Sequence, residues 1–79
     1  MDKTSAVEQL IHEIATACDL DPASLTADTR IKEDLNLTSM QRMIITGVVE
    51  DLTDTAVYYS TINRCKSIGD IADFVVAHT

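Results

Sequence analysis

The sequence predicts an all-α protein, a small four-helix bundle with a long first loop and a short third helix. Three observations carry that expectation. Apolar residues recur at three- and four-residue spacing instead of alternating, which is the helical period. Capping patterns built on Ser or Thr stand ahead of the apolar runs. At 79 residues the chain is expected to form one domain over residues 1–79, with room for a single modest core. Trp is absent and aromatic residues make up 4%, so aliphatic side chains must fill that core.

The first helix is expected to open at Thr4 or Ser5, where Ser5-Ala6-Val7-Glu8 fits a capping box. Val7, Leu10, Ile11, Ile14, Ala15 and Cys18 then form one apolar stripe. Asp19-Leu20-Asp21-Pro22 stops the helix, because a proline biases the residue before it away from helical geometry. The connection from Asp19 to Leu37 is longer than most loops in compact domains. Leu20, Leu25, Ile31, Leu35 and Leu37 are spaced to pin it to the core, while Asp21, Ser24, Asp28, Thr29 and Lys32 are expected to stay in water. Asp21-Pro22-Ala23-Ser24 suits one short helical turn.

The second helix is expected from about Ser39 to Leu52, opened by a capping box of Thr38 and Gln41. Met43, Ile45, Val49 and Leu52 are its inward candidates. Met40, Ile44 and Val48 form a further apolar row, so this helix is apolar on more than one face. Thr53-Asp54-Thr55-Ala56 reads as a polar turn, after which Val57 re-enters the core. Ser60 to Cys65 allows a short third helix carrying Ile62 and Cys65. Ser67 caps the last helix, whose apolar face holds Ile68, Ile71, Ala72, Val75 and Phe74.

Composition narrows the function. Six Lys and Arg against 13 Asp and Glu give a net charge of −7, a surface that repels nucleic-acid phosphates and anionic lipid and suits basic partners. No apolar run approaches the ~20 residues of a membrane span. The polar Met1-Asp2-Lys3-Thr4-Ser5 start is no signal peptide, so a cytoplasmic location is expected. Cys18 and Cys65 form no metal-ligand spacing and read as small hydrophobes. His12 and His78 have no catalytic partner that sequence nominates, and the lone glycines Gly47 and Gly69 make no phosphate loop. Asp19 and Asp21 lack the other ligands of a calcium loop. An enzyme is therefore not expected.

One segment stands apart. Glu33-Asp34-Leu35-Asn36-Leu37-Thr38-Ser39-Met40 places a serine at the first turn of an amphipathic helix. A serine there is usually structural, but the pattern around it resembles the modification-site motif of the acyl carrier proteins. The resemblance spans nearly the whole chain: the first-helix stripe, Leu20 and Asp21-Pro22, Ile31 where an aromatic is common, Glu50-Asp51, Val57, and Ile68-Gly69-Asp70-Ile71-Ala72-Asp73-Phe74-Val75.

The resemblance implies a 4′-phosphopantetheine arm on Ser39, donated by coenzyme A through a phosphopantetheinyl transferase. The arm's thiol would carry acyl groups as thioesters in fatty-acid, polyketide or related biosynthesis. Partners implied are acyl-loading, elongating and acyl-transferring enzymes, with no nucleic acid, no stable membrane insertion and a monomeric state. It also implies partner docking on the second helix, by Met40, Arg42, Ile44, Val48, Glu50 and Asp51. Two departures from the family stand out. Thr38 replaces the usual Asp, and Arg42 and Ile44 occupy positions that are often acidic, which points to a more apolar docking face. Ile44 and Val48 could equally cover the loop or line an acyl pocket. Tyr58 and Tyr59 precede the third helix, where the family has part of its partner surface; exposed turn aromatics and partial core cover are equally open for them. An aminoacyl or peptidyl carrier, or an acidic helical adaptor with no covalent group, stays open beside the acyl-carrier reading.

Overall fold

A computed structural model describes residues 1–79. Helix α1 runs over Lys3–Cys18, α2 over Ser39–Thr53, α3 over Tyr59–Arg64 and α4 over Ile68–Ala77. A 3-10 turn at Pro22–Ser24 and one π-helical turn at Ile31–Leu35 interrupt the long first loop. The four-helix bundle with its short third helix is as expected.

The start of α1 differs from expectation. Asp2 is its cap, accepting the Ser5 amide at 2.8 Å, so Ser5 sits inside the first turn as a donor. That bond holds the Asp2 carboxyl below its usual range. At the other end Asp19 takes a left-handed conformation, φ 55°, which a short polar side chain tolerates.

The core is aliphatic throughout. Ala6, Leu10 and Ile14 of α1 meet Ile45 and Val49 of α2, Ile62 of α3, and Ile68, Ile71, Ala72 and Val75 of α4. Ala6 belongs to this core although the stripe read from the sequence starts at Val7. Helix α1 lies against both α4 and α2, while α3 packs on α2.

The first loop is held by side chains and main chain together. Leu25, Ile31 and Leu37 are buried, and Leu20 and Leu35 pack against the core half-exposed. Thr29, expected in water, is buried; its hydroxyl accepts the Thr26 amide at 2.8 Å, which meets its hydrogen-bonding need locally. The segment from Ala27 to Ile31 then pairs with the start of α4. Ile31 donates to the Lys66 carbonyl at 2.9 Å, Ile68 to Thr29 at 3.0 Å and Gly69 to Ala27 at 2.8 Å. Gly69 suits that approach, because a Cβ there would sit a tight 3.0 Å from the Ala27 carbonyl oxygen.

Met43, expected inward, is 64% exposed. Two residues turn a helix by roughly 200°, so with Ile45 on the inner line Met43 must face out. Thr46 is buried on the inner side instead, its hydroxyl donating to the Arg42 carbonyl at 2.9 Å. Thr53, expected in the turn, closes α2 as a buried residue whose hydroxyl donates to Val49 at 2.8 Å.

Candidate functional site

The segment before α2 is built to present one residue. The π turn is closed at its front by Asp34, whose carboxylate accepts the Arg30 amide at 2.8 Å. It ends at Asn36 in a left-handed conformation, φ 49°, and the chain then drops Leu37 into the core. Thr38 follows as the cap of α2. Its hydroxyl accepts the Gln41 amide at 3.1 Å, and the Gln41 side chain accepts the Thr38 amide at 2.9 Å. The capping box read from the sequence is therefore formed on both sides.

Ser39 is the first residue of α2 and is exposed. Its hydroxyl engages no group of the chain, and the amides of Ser39 and Met40 are among the first-turn donors without a partner. No acidic side chain lies in that turn. The helix dipole places positive potential there, worth typically ~0.3–1 kcal/mol to an anion.

Arg42, three residues on, is half-buried. Its guanidinium donates to the Leu37 carbonyl at 3.1 Å and to the Asn63 side chain at 3.2 Å. It thus ties the residue before the cap to the end of α3. Its Nε is buried without a partner. Sequence reasoning missed the clamping parts of Arg42, Asn63 and Asp34. The Arg42–Asn63 pair spans 21 positions and leaves no sequence signal. The Asp34-to-Arg30 bond at four residues is a local pattern that could have been read.

The other residues expected at a docking surface are disposed unevenly. Met40 is 73% exposed and Ile44 42%, and both share the outer face of α2 with Met43. Val48 is half-buried and packs against the core. Glu50 is half-buried and accepts the Val57 amide at 3.3 Å, fastening the chain beyond α2, while Asp51 is exposed. Gly47 lies between these residues, and a Cβ there would meet nothing within 4 Å. Tyr58 is exposed and Tyr59 half-buried.

His12 and His78 are exposed, and the His78 ring stacks on Phe74 with centroids 4.1 Å apart. Both cysteines are free and half-buried, and burial pushes both thiols up, with Asp70 and Asp73 adding to the effect at Cys65. No group of three His, Cys, Asp or Glu side chains is arranged to hold a metal ion. No helix is long and apolar enough to cross a membrane.

Comparison with known proteins agrees with this geometry. Residues 8–75 match the family described as "Phosphopantetheine attachment site". The chain belongs to that family. It is also similar to the acyl carrier protein of Onion yellows phytoplasma (strain OY-M), 33% identical over 66 residues, covering 84% of this chain and 87% of that one. The acyl carrier protein of Aster yellows witches'-broom phytoplasma (strain AYWB) is 31% identical over 72 residues, covering 91% and 95%. The family is one of carriers, and the prosthetic group of this carrier is a covalently attached 4′-phosphopantetheine.

The first turn of α2 fits such a group. It offers an exposed hydroxyl for the ester bond, two amides free to donate to phosphate oxygens and no competing carboxylate in the turn. The geometry of this carrier therefore supports covalent attachment and presentation.

Proposed function

We propose that this chain is an acyl carrier protein whose attachment residue is Ser39. The observation that carries the assignment is the exposed, unengaged Ser39 hydroxyl at the first turn of α2, within the span matched to the phosphopantetheine-attachment family. Ser39 is a substrate of a transferase, not a catalytic nucleophile, and the chain itself catalyses nothing.

In the modification Ser39 gives up its hydroxyl proton, and its Oγ forms a phosphodiester with the pantetheine-bearing phosphate of coenzyme A. Adenosine 3′,5′-bisphosphate leaves. The Thr38–Gln41 box holds the residue before Ser39 in extended geometry, and Arg42 ties that same stretch to α3. The hydroxyl thus stands on a fixed platform, and the free Ser39 and Met40 amides are placed to receive phosphate oxygens. Once attached, the group supplies a terminal thiol that holds acyl cargo as a thioester.

Partner docking falls to the α2 face around the serine. Met40 and Ile44 supply exposed apolar contact, Asp51 supplies charge, and Arg42, Val48 and Glu50 keep the face in shape from half-buried positions. The partners are a phosphopantetheinyl transferase and enzymes that load, extend or take acyl groups. The chain works as one carrier domain over residues 1–79, as a monomer, and in the cytoplasm.

The test is direct. Apo protein incubated with coenzyme A and a promiscuous transferase should gain the mass of one phosphopantetheine, and Ser39→Ala should gain none. An unchanged wild-type mass, or equal gain in both proteins, would overturn the assignment.

A further inference from the structure

The cations of this acidic chain are gathered in one place. Of its six Lys and Arg side chains, Arg30, Lys32, Arg42, Arg64 and Lys66 all line one cleft of about 880 Å³. It lies between the π turn of the first loop and the end of α3. Asp28 and Glu33 are the two carboxylates on its walls. None of the five cations has a carboxylate within 4.0 Å, although the chain carries 13 acidic residues; the one ion pair is Lys3–Asp73 at 3.1 Å, elsewhere. The remaining acidic side chains share the rest of the surface with Lys3 alone.

Cations left unpaired in so acidic a protein mark a site for an anion. We propose that this cleft holds the distal carboxylate of a dicarboxylate-derived acyl group carried on the Ser39 arm. The proposal rests on the Ser39 assignment above. Three observations select that occupant.

First, Arg42 belongs to the cleft wall and lies one helical turn beyond Ser39, so a flexible arm starting at Ser39 begins beside the cleft. Second, Ile31, Ile62 and Cys65 are the only apolar residues among twelve lining it. An unsubstituted alkyl chain gains little by entering, whereas a short chain ending in a carboxylate meets its complement. Third, Arg30, Lys32, Arg64 and Lys66 are largely in water, where a single ion pair contributes only ~0.2–1 kcal/mol. A free monoanion is not held by such groups. A tethered one meets several of them at once, in a cleft that focuses their field, at an effective concentration of roughly millimolar or above.

The experiment uses the intact chain loaded by a promiscuous transferase with succinyl-coenzyme A, carrying ¹³C at the free carboxylate. Butyryl-coenzyme A, with the same four-carbon length and no carboxylate, supplies the control. In the cleft the labelled carboxylate should titrate roughly 0.5 unit below free succinyl-pantetheine at low salt, and the difference should shrink at high salt. Anywhere else on this surface the net negative charge would shift it the opposite way. The amide resonances of Arg30, Lys32, Arg64 and Lys66 should differ between the succinyl and butyryl forms. The double variant Arg64→Gln/Lys66→Gln should load equally well and lose the downward shift.

A carboxylate titrating at or above its free value in the loaded wild type would overturn the cleft assignment and leave Ser39 intact. Absence of any mass gain would instead overturn Ser39, and the cleft proposal with it. Free succinate at roughly ten micromolar, far below the effective concentration the arm supplies, should leave those amides unmoved. Saturable shifts with it would overturn the tethered occupant in favour of a free dicarboxylate.

Discussion

Arg42 shows how one side chain can serve two elements. Sequence places it near Ser39 on the face proposed for docking. The structure adds two hydrogen bonds, to the Leu37 carbonyl and to Asn63, that tie the stretch before Ser39 to α3. Hydrogen bonds to a charged donor contribute ~1.5–3 kcal/mol when intact. Arg42→Ala should therefore lower unfolding free energy by about 2 kcal/mol in denaturant titration, and slow modification of Ser39. Arg42→Lys should recover little of either, since an ammonium cannot span both acceptors as a planar guanidinium does. The cysteines lead to a second expectation. Burial raises both thiols, so between their free and raised pKa values the folded chain holds protons that the unfolded chain releases. Stability should accordingly fall as pH rises through that alkaline window. In the holo protein, alkylation followed by mass spectrometry should label the arm thiol well before Cys18 or Cys65.

Among the elements, the two glycines separate cleanly. Gly47 lies within α2 with open space where a Cβ would stand, so Gly47→Ala should raise stability by ~0.5–1 kcal/mol through helix propensity alone. Gly69 begins α4 against the Ala27 carbonyl, and Gly69→Ala should cost about 1–2 kcal/mol, overpacking outweighing the propensity gain. Melting curves of both variants check the pair. The same contrast shows what was legible at this scale. The caps of α2 and α4, the 3-10 turn and the loop leucines follow from local chemistry and were readable. The Asp2 cap was not, because Ser5 offers an equally good local pattern and only the backbone position of Lys3 decides between them. Met43 was misread for a related reason: an apolar residue on a helix with two apolar faces carries no label saying which face meets the core.

For the whole molecule, the outward apolar face of α2 has to be accounted for. Met40, Met43 and Ile44 stay exposed although the core is complete without them. Ile44→Ala should shift the melting temperature by no more than about 2–4 °C, since surface changes stay within ~0.5 kcal/mol. It should also slow turnover by an acyl-handling partner. Unchanged turnover with a lowered melting temperature would show that Ile44 supports the fold and not docking.

The sequence by itself determined the helical class, the candidate attachment segment, the family and the acidic character, because each is written in local spacing or in composition. Helical period, capping boxes and a motif of eight consecutive residues need no tertiary contact to be read. Only the tertiary structure decided where the charge lies. Arg30 and Lys32 are brought beside Arg64 and Lys66 because the first loop pairs its main chain with the segment entering α4, through the Ile31, Ile68 and Gly69 amides. Main-chain hydrogen bonds carry no side-chain signature, so a sequence that reads as uniformly acidic folds into a molecule with one basic cleft beside its serine.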